Sequence, residues 1–271
     1  MKNIHITSKY RKIIKCAISI IFCLSLLLNI FFIYKGQYIS KITNYIKCEK
    51  EYLSLLSTYI PDEIHLDNND KINYVCIGNS ITLHSQCAYW WEERGMASTS
   101  INTDYVHLLS SLFSSDFSSV SYNAINFSNW ETSSWDRAET LSQIDSYLNN
   151  DIDLVIIQLG ENATDTSALE EDYTELITYC ADKTNGASVI VLGEFWKNPI
   201  KDIVKINACK ETGATFISLR EIQSKEYQCG LDAQVLDSNM DYHTVTHNGV
   251  ARHPNDKAFE YIANKIYSLV K

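Results

Sequence analysis

The sequence predicts an α/β protein: a three-layer, doubly wound and mostly parallel sheet of five strands, preceded by one N-terminal transmembrane helix. Two patterns predict this class. Over residues 71–271, five short apolar runs alternate with segments of helical spacing, as in sheets whose strands are connected by helices. Before them, residues 16–34 contain no charged residue. We therefore expect one domain over 71–271, a comfortable size for a single hydrophobic core.

Residues 16–34 are long enough to cross a bilayer as a helix. This segment has 19 residues and, at about 1.5 Å per helical residue, comes close to a hydrocarbon core of about 30 Å. The apolar core of a cleaved signal peptide is shorter and is followed by small residues, whereas Phe31, Phe32 and Tyr34 are large. We therefore expect an uncleaved membrane anchor.

The charges on either side of this segment predict its orientation. Residues 1–15 form a basic tip with five lysine or arginine residues and no acidic residue. Because such residues accumulate on the cytoplasmic side of a membrane helix, we expect a cytoplasmic N-terminus and an extracytoplasmic body. The reverse orientation, which Lys35 and Lys41 would favour, is the alternative.

The body of the chain is strongly acidic. Six of the 23 lysine and arginine residues lie within residues 1–35, which contain none of the 33 acidic residues. The remaining residues therefore carry a net charge of −16. A nucleic-acid-binding protein needs a basic face, so this charge argues against a nucleic-acid partner and favours a neutral substrate.

The outer part of the chain divides into a stalk and the α/β domain. Residues 35–70 are polar and charged, with helical spacing near 42–59 and a turn-like end at 67–70. The run at 154–159 is almost continuously apolar, which is typical of a parallel strand covered on both faces. The pattern predicts a flavodoxin-like arrangement with strands over 72–77, 120–125, 154–159, 189–192 and 215–219, and helices over 105–113, 135–148, 169–181, 200–210 and 256–270.

Three polar segments lie where such a sheet binds its ligands, beyond the carboxyl ends of the strands. They are Gly78-Asn79-Ser80, Gly160-Glu161-Asn162 and His253-Pro254. A serine on a strand-to-helix turn presents its hydroxyl at this edge, and a histidine can serve as its base. The Asn162 amide and the Ser80 backbone N–H are donors of the type that an oxyanion needs.

These segments are similar to motifs of the SGNH/GDSL hydrolase family, and the resemblance covers roughly residues 71–271. The first segment resembles the family's Gly-Asp-Ser block. The second resembles its Gly-x-Asn-Asp block, with Ala163 in place of the final Asp, and the third resembles the block of the catalytic histidine. The resemblance implies a serine nucleophile at Ser80, a base at His253, and Ser80 and Asn162 in the oxyanion hole. We expect no metal and no cofactor.

The remaining family block is less complete. The segment 123–128 has the spacing of Asn-x-x-x-x-Gly, but Ser128 stands where the family has glycine. The resemblance implies that the backbone N–H of Ser128, or of its neighbour Asn129, contributes the third oxyanion donor. A serine avoids some of the backbone angles that glycine adopts, so the loop is expected to differ in geometry.

The third member of the triad is open, because Val250 occupies the position three residues before His253 where the family has Asp. The site is either a Ser–His dyad, or the imidazole is oriented by a backbone carbonyl or by another carboxylate, such as Asp241. Asp256 is expected to cap the final helix, where carboxylates meet free N–H groups.

Aromatic and polar residues near this edge give further candidates. Trp90 and Trp91 lie in an aromatic insertion directly after the Ser80 segment, and they are interpreted equally as a platform for sugar rings or as the core of a lid. Glu161 is expected to hydrogen-bond to substrate or to a loop. Cys87 and Cys229 lie in loop-like segments and would pair only in an oxidising compartment.

The sequence therefore predicts a membrane-anchored, extracytoplasmic serine esterase that removes small acyl groups, most simply O-acetyl, from a carbohydrate or a similar small ester. Two alternatives stay open: an acyltransferase acting on cell-surface glycan, and an inactive carbohydrate-binding domain with the same fold. Asn126 and Asn162 each begin a glycosylation sequon. A glycan on Asn162 would block the oxyanion hole, so a bacterial source is favoured.

Overall fold

The computed structural model describes residues 8–66 and 70–271 and divides the chain into two compact units, Met1–Glu51 and Tyr52–Lys271. Residues 1–7 of the basic tip and most of the turn predicted at 67–70 lie outside the described residues.

The N-terminal helix α1 extends over Ser8–Thr58. Within it, Phe22–Thr58 is long and apolar enough to cross a membrane, and it is the one such helix among the described residues. An N-terminal signal sequence can have the same length and apolar composition as this helix. The structure places an apolar helix over the residues where the anchor is predicted.

The second unit contains the predicted sheet. Its five strands lie in the order β2-β1-β3-β4-β5, and all neighbouring strands are parallel. The α/β fold class and the mostly parallel five-stranded sheet are thereby confirmed. The strands are β1 (Lys71–Gly78), β2 (Ser119–Asn126), β3 (Leu154–Gln158), β4 (Ser188–Leu192) and β5 (Thr215–Ile217).

Seven helices follow α1 within the described part of the chain, and four of them are long enough to cover the sheet. They are α2 (Tyr105–Phe113), α3 (Ser128–Thr132), α4 (Arg137–Thr140), α5 (Leu169–Lys183), α6 (Pro199–Thr212), α7 (Asn248–Ala251) and α8 (Asp256–Leu269). The helix predicted over 135–148 consists of α4 and a 3₁₀ helix, Leu141–Tyr147. Two further 3₁₀ helices span Arg220–Ile222 and Lys225–Tyr227.

The strands alternate their side chains between two buried clusters, one on each face of the sheet. In β1, Val75 and Ile77 join the cluster that includes side chains of α5 and α6. Tyr74 and Cys76 join the cluster that includes side chains of α2 and α8. Because successive side chains of a strand point to opposite faces, a strand apolar at every position needs both layers of helices. The three-layer arrangement follows from this pattern.

The final helix shows how local chemistry sets an element's start. Asn255 accepts a hydrogen bond from the Ala258 N–H at 3.1 Å and is the N-cap of α8. The prediction that Asp256 caps this helix is wrong, since its carboxylate accepts hydrogen bonds from the backbone N–H and the hydroxyl of Thr99. Asn and Asp are equally good N-caps, so the sequence alone did not separate these neighbours.

A third buried group, here called the small cluster, lies apart from the sheet. It combines the insertion after β1 with the antiparallel hairpin of β6 (Gln234–Leu236) and β7 (Tyr242–Thr244) and with α7. The hairpin has only three residues in each strand, which is too short to leave a strand pattern in the sequence. The small cluster consists of Trp90, Met96, Ala97, Val235, Val245, Val250 and Ala251.

The compact unit begins inside the segment interpreted as a stalk. Tyr52 is 1% exposed, and its hydroxyl lies 2.8 Å from the Ser218 hydroxyl. Further along, the Tyr59 hydroxyl accepts a hydrogen bond from the Phe216 N–H at 2.6 Å. Both tyrosines therefore pack at the β5 edge as part of the folded domain.

Candidate active site

Ser80 lies in the turn directly after β1. Gly78 ends that strand, and a Cβ there would lie 1.9 Å from the Thr82 hydroxyl and 2.9 Å from the Gln158 carbonyl. Asn79 is fully buried and accepts a hydrogen bond from the Ile81 N–H at 3.0 Å, which tightens the turn. The residues that follow, 83–104, are all described and form a non-helical insertion. The prediction that Ser80 lies on a strand-to-helix turn is therefore wrong. The half-buried Ser80 does lie directly beyond the end of β1.

His253 contacts Ser80 directly. Its Nε2 lies 2.8 Å from Ser80 Oγ, and its Nδ1 lies 2.8 Å from the Gly249 carbonyl oxygen. A carbonyl oxygen can only accept, so Nδ1 carries the proton and the neutral ring uses Nε2 as an acceptor. The Ser80 hydroxyl therefore donates to Nε2. The structure thus brings together two residues that are 173 positions apart in the chain.

His253 is buried, with 8% of the residue exposed. Burial lowers the pKa of His253 from 6.5 to about 4, and the hydrogen bond to Gly249 offsets part of this effect because it raises the pKa. Desolvation disfavours the charged ring. At neutral pH His253 is therefore uncharged and able to accept a proton.

The position of the usual third member is filled by packing. Val250 is 1% exposed and belongs to the small cluster. Asp241 is exposed and directly precedes β7. The Asp256 carboxylate accepts a hydrogen bond from the Thr99 N–H. Of the alternatives left open by the sequence, the structure places a backbone carbonyl, that of Gly249, on the Nδ1 side of His253.

The predicted oxyanion donors lie around one cleft with Ser80. Asn162 and Ser128 both line it. The Asn162 Nδ2 donates one hydrogen bond to Glu131 Oε2 at 2.6 Å. This hydrogen bond also fixes the direction of the second N–H of the Asn162 amide. The Ser128 N–H donates to the Asn126 side chain at 3.1 Å. Ser128 is therefore engaged in its own loop, and Asn162 is the better placed donor.

Among the described residues, those that line this cleft are all polar. Its walls have hydroxyl, amide and imidazole groups, so the cleft offers hydrogen bonds to a ligand. The lining residues are Ser80, His84, Asn126, Ser128, Asn129, Thr132 and Asn162.

Glu161 is turned toward the protein. Its carboxylate accepts hydrogen bonds from the Phe195 N–H at 2.7 Å and from the Gln158 amide at 3.2 Å. Burial, followed by the nearby Glu194, raises the pKa of Glu161 to about 8. Of the two expected partners, substrate or loop, the structure places Glu161 on the loop after β4.

The two insertion tryptophans have different environments. Trp90 is fully buried in the small cluster, so its ring presents no face to a ligand, and the platform interpretation is wrong for this residue. Trp91 is half-buried and stacks on His243 with ring centroids 4.6 Å apart. The predicted platform is thus reduced to Trp91, and Trp90 forms the core of the insertion.

Glu131 is a site residue that the sequence did not reveal. It is 1% exposed and accepts hydrogen bonds from both Asn79 and Asn162. A glutamate in so short a helix as α3 is usually a solvated residue, so no local pattern distinguished it. Its role depends on three chain segments that meet only in the folded protein.

No metal centre is formed by the described residues. Within 8–66 and 70–271, there is no group of three or more His, Cys, Asp or Glu side chains that could hold an ion. His243 instead contacts Asp237 at 2.9 Å, and His247 stacks on Tyr89. Cys87 and Cys229, the two cysteines of the loop-like segments, have free thiols.

Neither a protein-family model nor a curated protein matches the sequence of this chain. Solved structures do match its fold. A two-domain esterase active on acetylated mannans superposes with a TM-score of 0.50 and 16% identity, over 74% of this chain and 48% of that chain. Over this range the chain shares the α/β fold of that esterase. It spans about half the length of that esterase.

Two other solved structures match over similar ranges. The family 3 carbohydrate esterase of Clostridium thermocellum has a TM-score of 0.46 and 16% identity, covering 74% of this chain and 95% of that chain. A structure described as a GDSL-like lipase from Bacteroides ovatus has a TM-score of 0.47 and 11% identity, covering 73% and 97%.

Proposed function

We propose that this chain is a serine esterase that removes small acyl groups, most simply O-acetyl, from a carbohydrate through an acyl-serine intermediate. The observation that carries this proposal is the Ser80–His253 pair, with Nε2 2.8 Å from the hydroxyl oxygen and Nδ1 held by Gly249. This is the arrangement in which a neutral imidazole removes the proton of an attacking hydroxyl.

The reaction proceeds in two steps. As Ser80 Oγ attacks the ester carbonyl, its proton moves to His253 Nε2, and the oxyanion receives hydrogen bonds from Asn162 and the Ser80 N–H. His253 then donates the proton to the sugar oxygen as the ester C–O bond breaks, which leaves the acyl group on Ser80. In the second step His253 takes a proton from water as the hydroxide attacks the acyl carbonyl. The bond between the acyl carbon and Ser80 Oγ then breaks, His253 returns the proton to Oγ, and the free acid leaves.

The lining of the cleft supports the proposed substrate class. Its polar residues can hydrogen-bond to the hydroxyl groups of a sugar, which favours a small acyl group over a long hydrocarbon chain. The net charge of −16 outside residues 1–35 repels polyanions. A neutral acetylated carbohydrate satisfies both conditions. The esterase of the same fold is active on acetylated mannans, and we propose an activity of this kind for this chain.

The membrane placement is part of the same proposal. The apolar helix within α1 would anchor the enzyme, with the basic N-terminal tip in the cytoplasm and the Ser80 site outside. Cysteine labelling in intact cells, at sites introduced in residues 1–15 and 260–271 of a variant whose native cysteines are replaced by serine, measures this orientation directly. Labelling of the N-terminal site alone would refute it.

Acyl transfer to a sugar hydroxyl is the second candidate. The observation that favours it is the same helix, since an enzyme held at a membrane meets lipid-linked glycans in preference to free sugars. In that case the acyl-serine is attacked by a sugar hydroxyl in place of water. Product analysis with an acyl donor and an oligosaccharide acceptor separates the two: acylated oligosaccharide indicates transfer, and free acid alone indicates hydrolysis.

The primary experiment is hydrolysis of p-nitrophenyl acetate by the full chain in detergent. We expect Ser80→Ala to lower kcat by about 10³-fold or more, as for the loss of a triad member. Ser146→Ala, at an exposed serine, is the matched control and should match the wild type. Activity that persists in Ser80→Ala would refute the nucleophile, and p-nitrophenyl octanoate hydrolysed as fast as acetate would refute the small acyl group.

A further inference from the structure

The loop that presents Asn162 is held from two sides by buried charged residues. It begins at Gly160, whose φ of +122° favours glycine and where a Cβ would lie 2.2 Å from Glu194 Oε1. The side chain that approaches its N–H groups is Glu131, and the side chain that approaches its carbonyl groups is Lys201. These side chains come from α3 and α6, so the loop is fixed by elements distant in the chain.

Glu131 accepts four hydrogen bonds. Its Oε1 accepts from the Gly160 N–H at 2.5 Å, the Asn162 N–H at 3.2 Å and Asn79 Nδ2 at 3.1 Å. Its Oε2 accepts from Asn162 Nδ2 at 2.6 Å. The residue is 1% exposed, so these donors take the place of water around its carboxylate.

Lys201 completes the arrangement from the other side of the loop. Its Nζ donates to the Gly160 carbonyl at 2.6 Å and to the Glu161 carbonyl at 3.2 Å. The loop N–H groups therefore point to an anion and its carbonyl groups point to a cation. This leaves the peptide planes of the loop little freedom to rotate, which fixes the direction of the Asn162 side chain.

We propose that Glu131 is a positioning residue that holds the Asn162 amide as an oxyanion donor and couples it to the Ser80 turn through Asn79. The proposal rests on the esterase function proposed above. Four donors converge on the Glu131 side chain, on both of its oxygens. An ionised carboxylate accepts hydrogen bonds at both oxygens and donates none, whereas an amide accepts at one oxygen only. In Glu131→Gln, the new NH₂ group would face either Asn162 Nδ2 or the donors of Asn79 and Gly160.

The test is a double-mutant cycle between Glu131 and Asn162, using p-nitrophenyl acetate and the full chain. Loss of one oxyanion donor lowers kcat by about 10²- to 10³-fold, and we expect this for Asn162→Ala. Glu131→Gln should lower kcat by roughly 10- to 100-fold, because the donor is present but misdirected, with KM within about twofold of the wild type. Glu139→Gln, at an exposed residue of α4, is the matched control.

The decisive value is the double variant Glu131→Gln/Asn162→Ala. If Glu131 acts through Asn162, the double variant has the kcat of Asn162→Ala alone. Effects that multiply would mean that Glu131 acts on overall structure, and they would overturn the proposal. Wild-type kcat in Glu131→Gln would do the same. If Glu131→Gln does not fold, Glu131→Asp retains the charge with a shorter reach, and the same cycle is measured with it.

The outcomes for Glu131 and for the proposed function are distinguishable. A wild type whose hydrolysis does not depend on Ser80 refutes the esterase function. A wild type that depends on Ser80, together with an unaffected Glu131→Gln, refutes only the positioning role.

Discussion

The two sides of the Ser80 site are built by different parts of the molecule. Ser80 and Asn162 follow β1 and β3, which pair directly and in register, with Gly78 opposite Gln158. His253 comes from the segment between α7 and α8, which is held by loop hydrogen bonds such as Cys229 N–H to the His253 carbonyl at 2.9 Å. One side is therefore set by the central sheet and the other by loops.

The difference lies in what must unfold for each side to fail. The sheet side can move only if paired strands separate, which exposes both large buried clusters. The base side rests on the small cluster of seven buried residues, whose loss leaves the sheet intact. Local opening has a lower free energy than global unfolding where few apolar contacts oppose it. We therefore expect activity to be lost at the base side first.

Removal of His253 tests the base side with the largest expected effect. His253→Ala leaves Ser80 without a proton acceptor, and kcat should fall by about 10³-fold or more. The sheet side is unchanged, so the melting temperature should stay near that of the wild type. His65→Ala, at an exposed histidine, is the control. Full activity in His253→Ala would show that the observed pair is not the catalytic one.

Acid pH sharpens the same comparison. Below pH 6.5 an ordinary histidine binds a proton, but His253, with a pKa of about 4, stays neutral. The acidic limb of kcat/KM should therefore lie near pH 4. The unfolded chain binds this proton at higher pH than the folded chain does, so stability falls as pH decreases from about 6.5 to 4. Circular dichroism at each pH separates the two effects, and a limb near 6.5 would contradict the buried neutral imidazole.

Matched valine substitutions compare the two regions directly. Val250→Ala removes two methyl groups from the small cluster, and Val191→Ala removes two from β4; both residues are buried. Each should lower the free energy of unfolding by roughly 1–3 kcal/mol. Only Val250→Ala adjoins the Gly249 carbonyl that holds His253, so it alone should lower kcat, by a few-fold, at a temperature where both variants are folded. Equal kcat values would show that the small cluster does not support the base.

Trp91 gives the smallest expected effect. Its stacking on His243 contributes about 0.5–1.5 kcal/mol, as aromatic pairs do, so Trp91→Ala should destabilise the protein only slightly. If the ring also contacts sugar, KM rises for acetylated oligosaccharides and stays unchanged for p-nitrophenyl acetate. An equal change of KM for both substrates would remove Trp91 from the proposed sugar contacts.

The regions also differ in how far the sequence predicted them. Buried strand residues such as Ile156 and Val191 lie in apolar runs of the sequence, so all five strands and the helices that cover them could be located. The Ser80 and His253 motifs could be found for the same reason, since each stands next to such an element. Glu131 could not be found, because its four donors come from segments that meet only in the fold. The β6–β7 hairpin could not be found either, because three-residue strands have no periodicity.

The main-chain partner of His253 changes how this site responds to mutation. A carboxylate that orients a catalytic histidine is encoded by one codon, and a single nucleotide change removes it. The Gly249 carbonyl belongs to the main chain, so a substitution at position 249 keeps the oxygen itself. A Cβ there would, however, lie 2.8 Å from the His247 ring, so the backbone or that ring would have to move. Inactivating variants at this point must therefore act on the path of the backbone, through a side chain at position 249, insertions, deletions or loss of the packing beneath it. Spontaneous loss of function should accordingly concentrate in the small cluster and its loops rather than at a third catalytic codon.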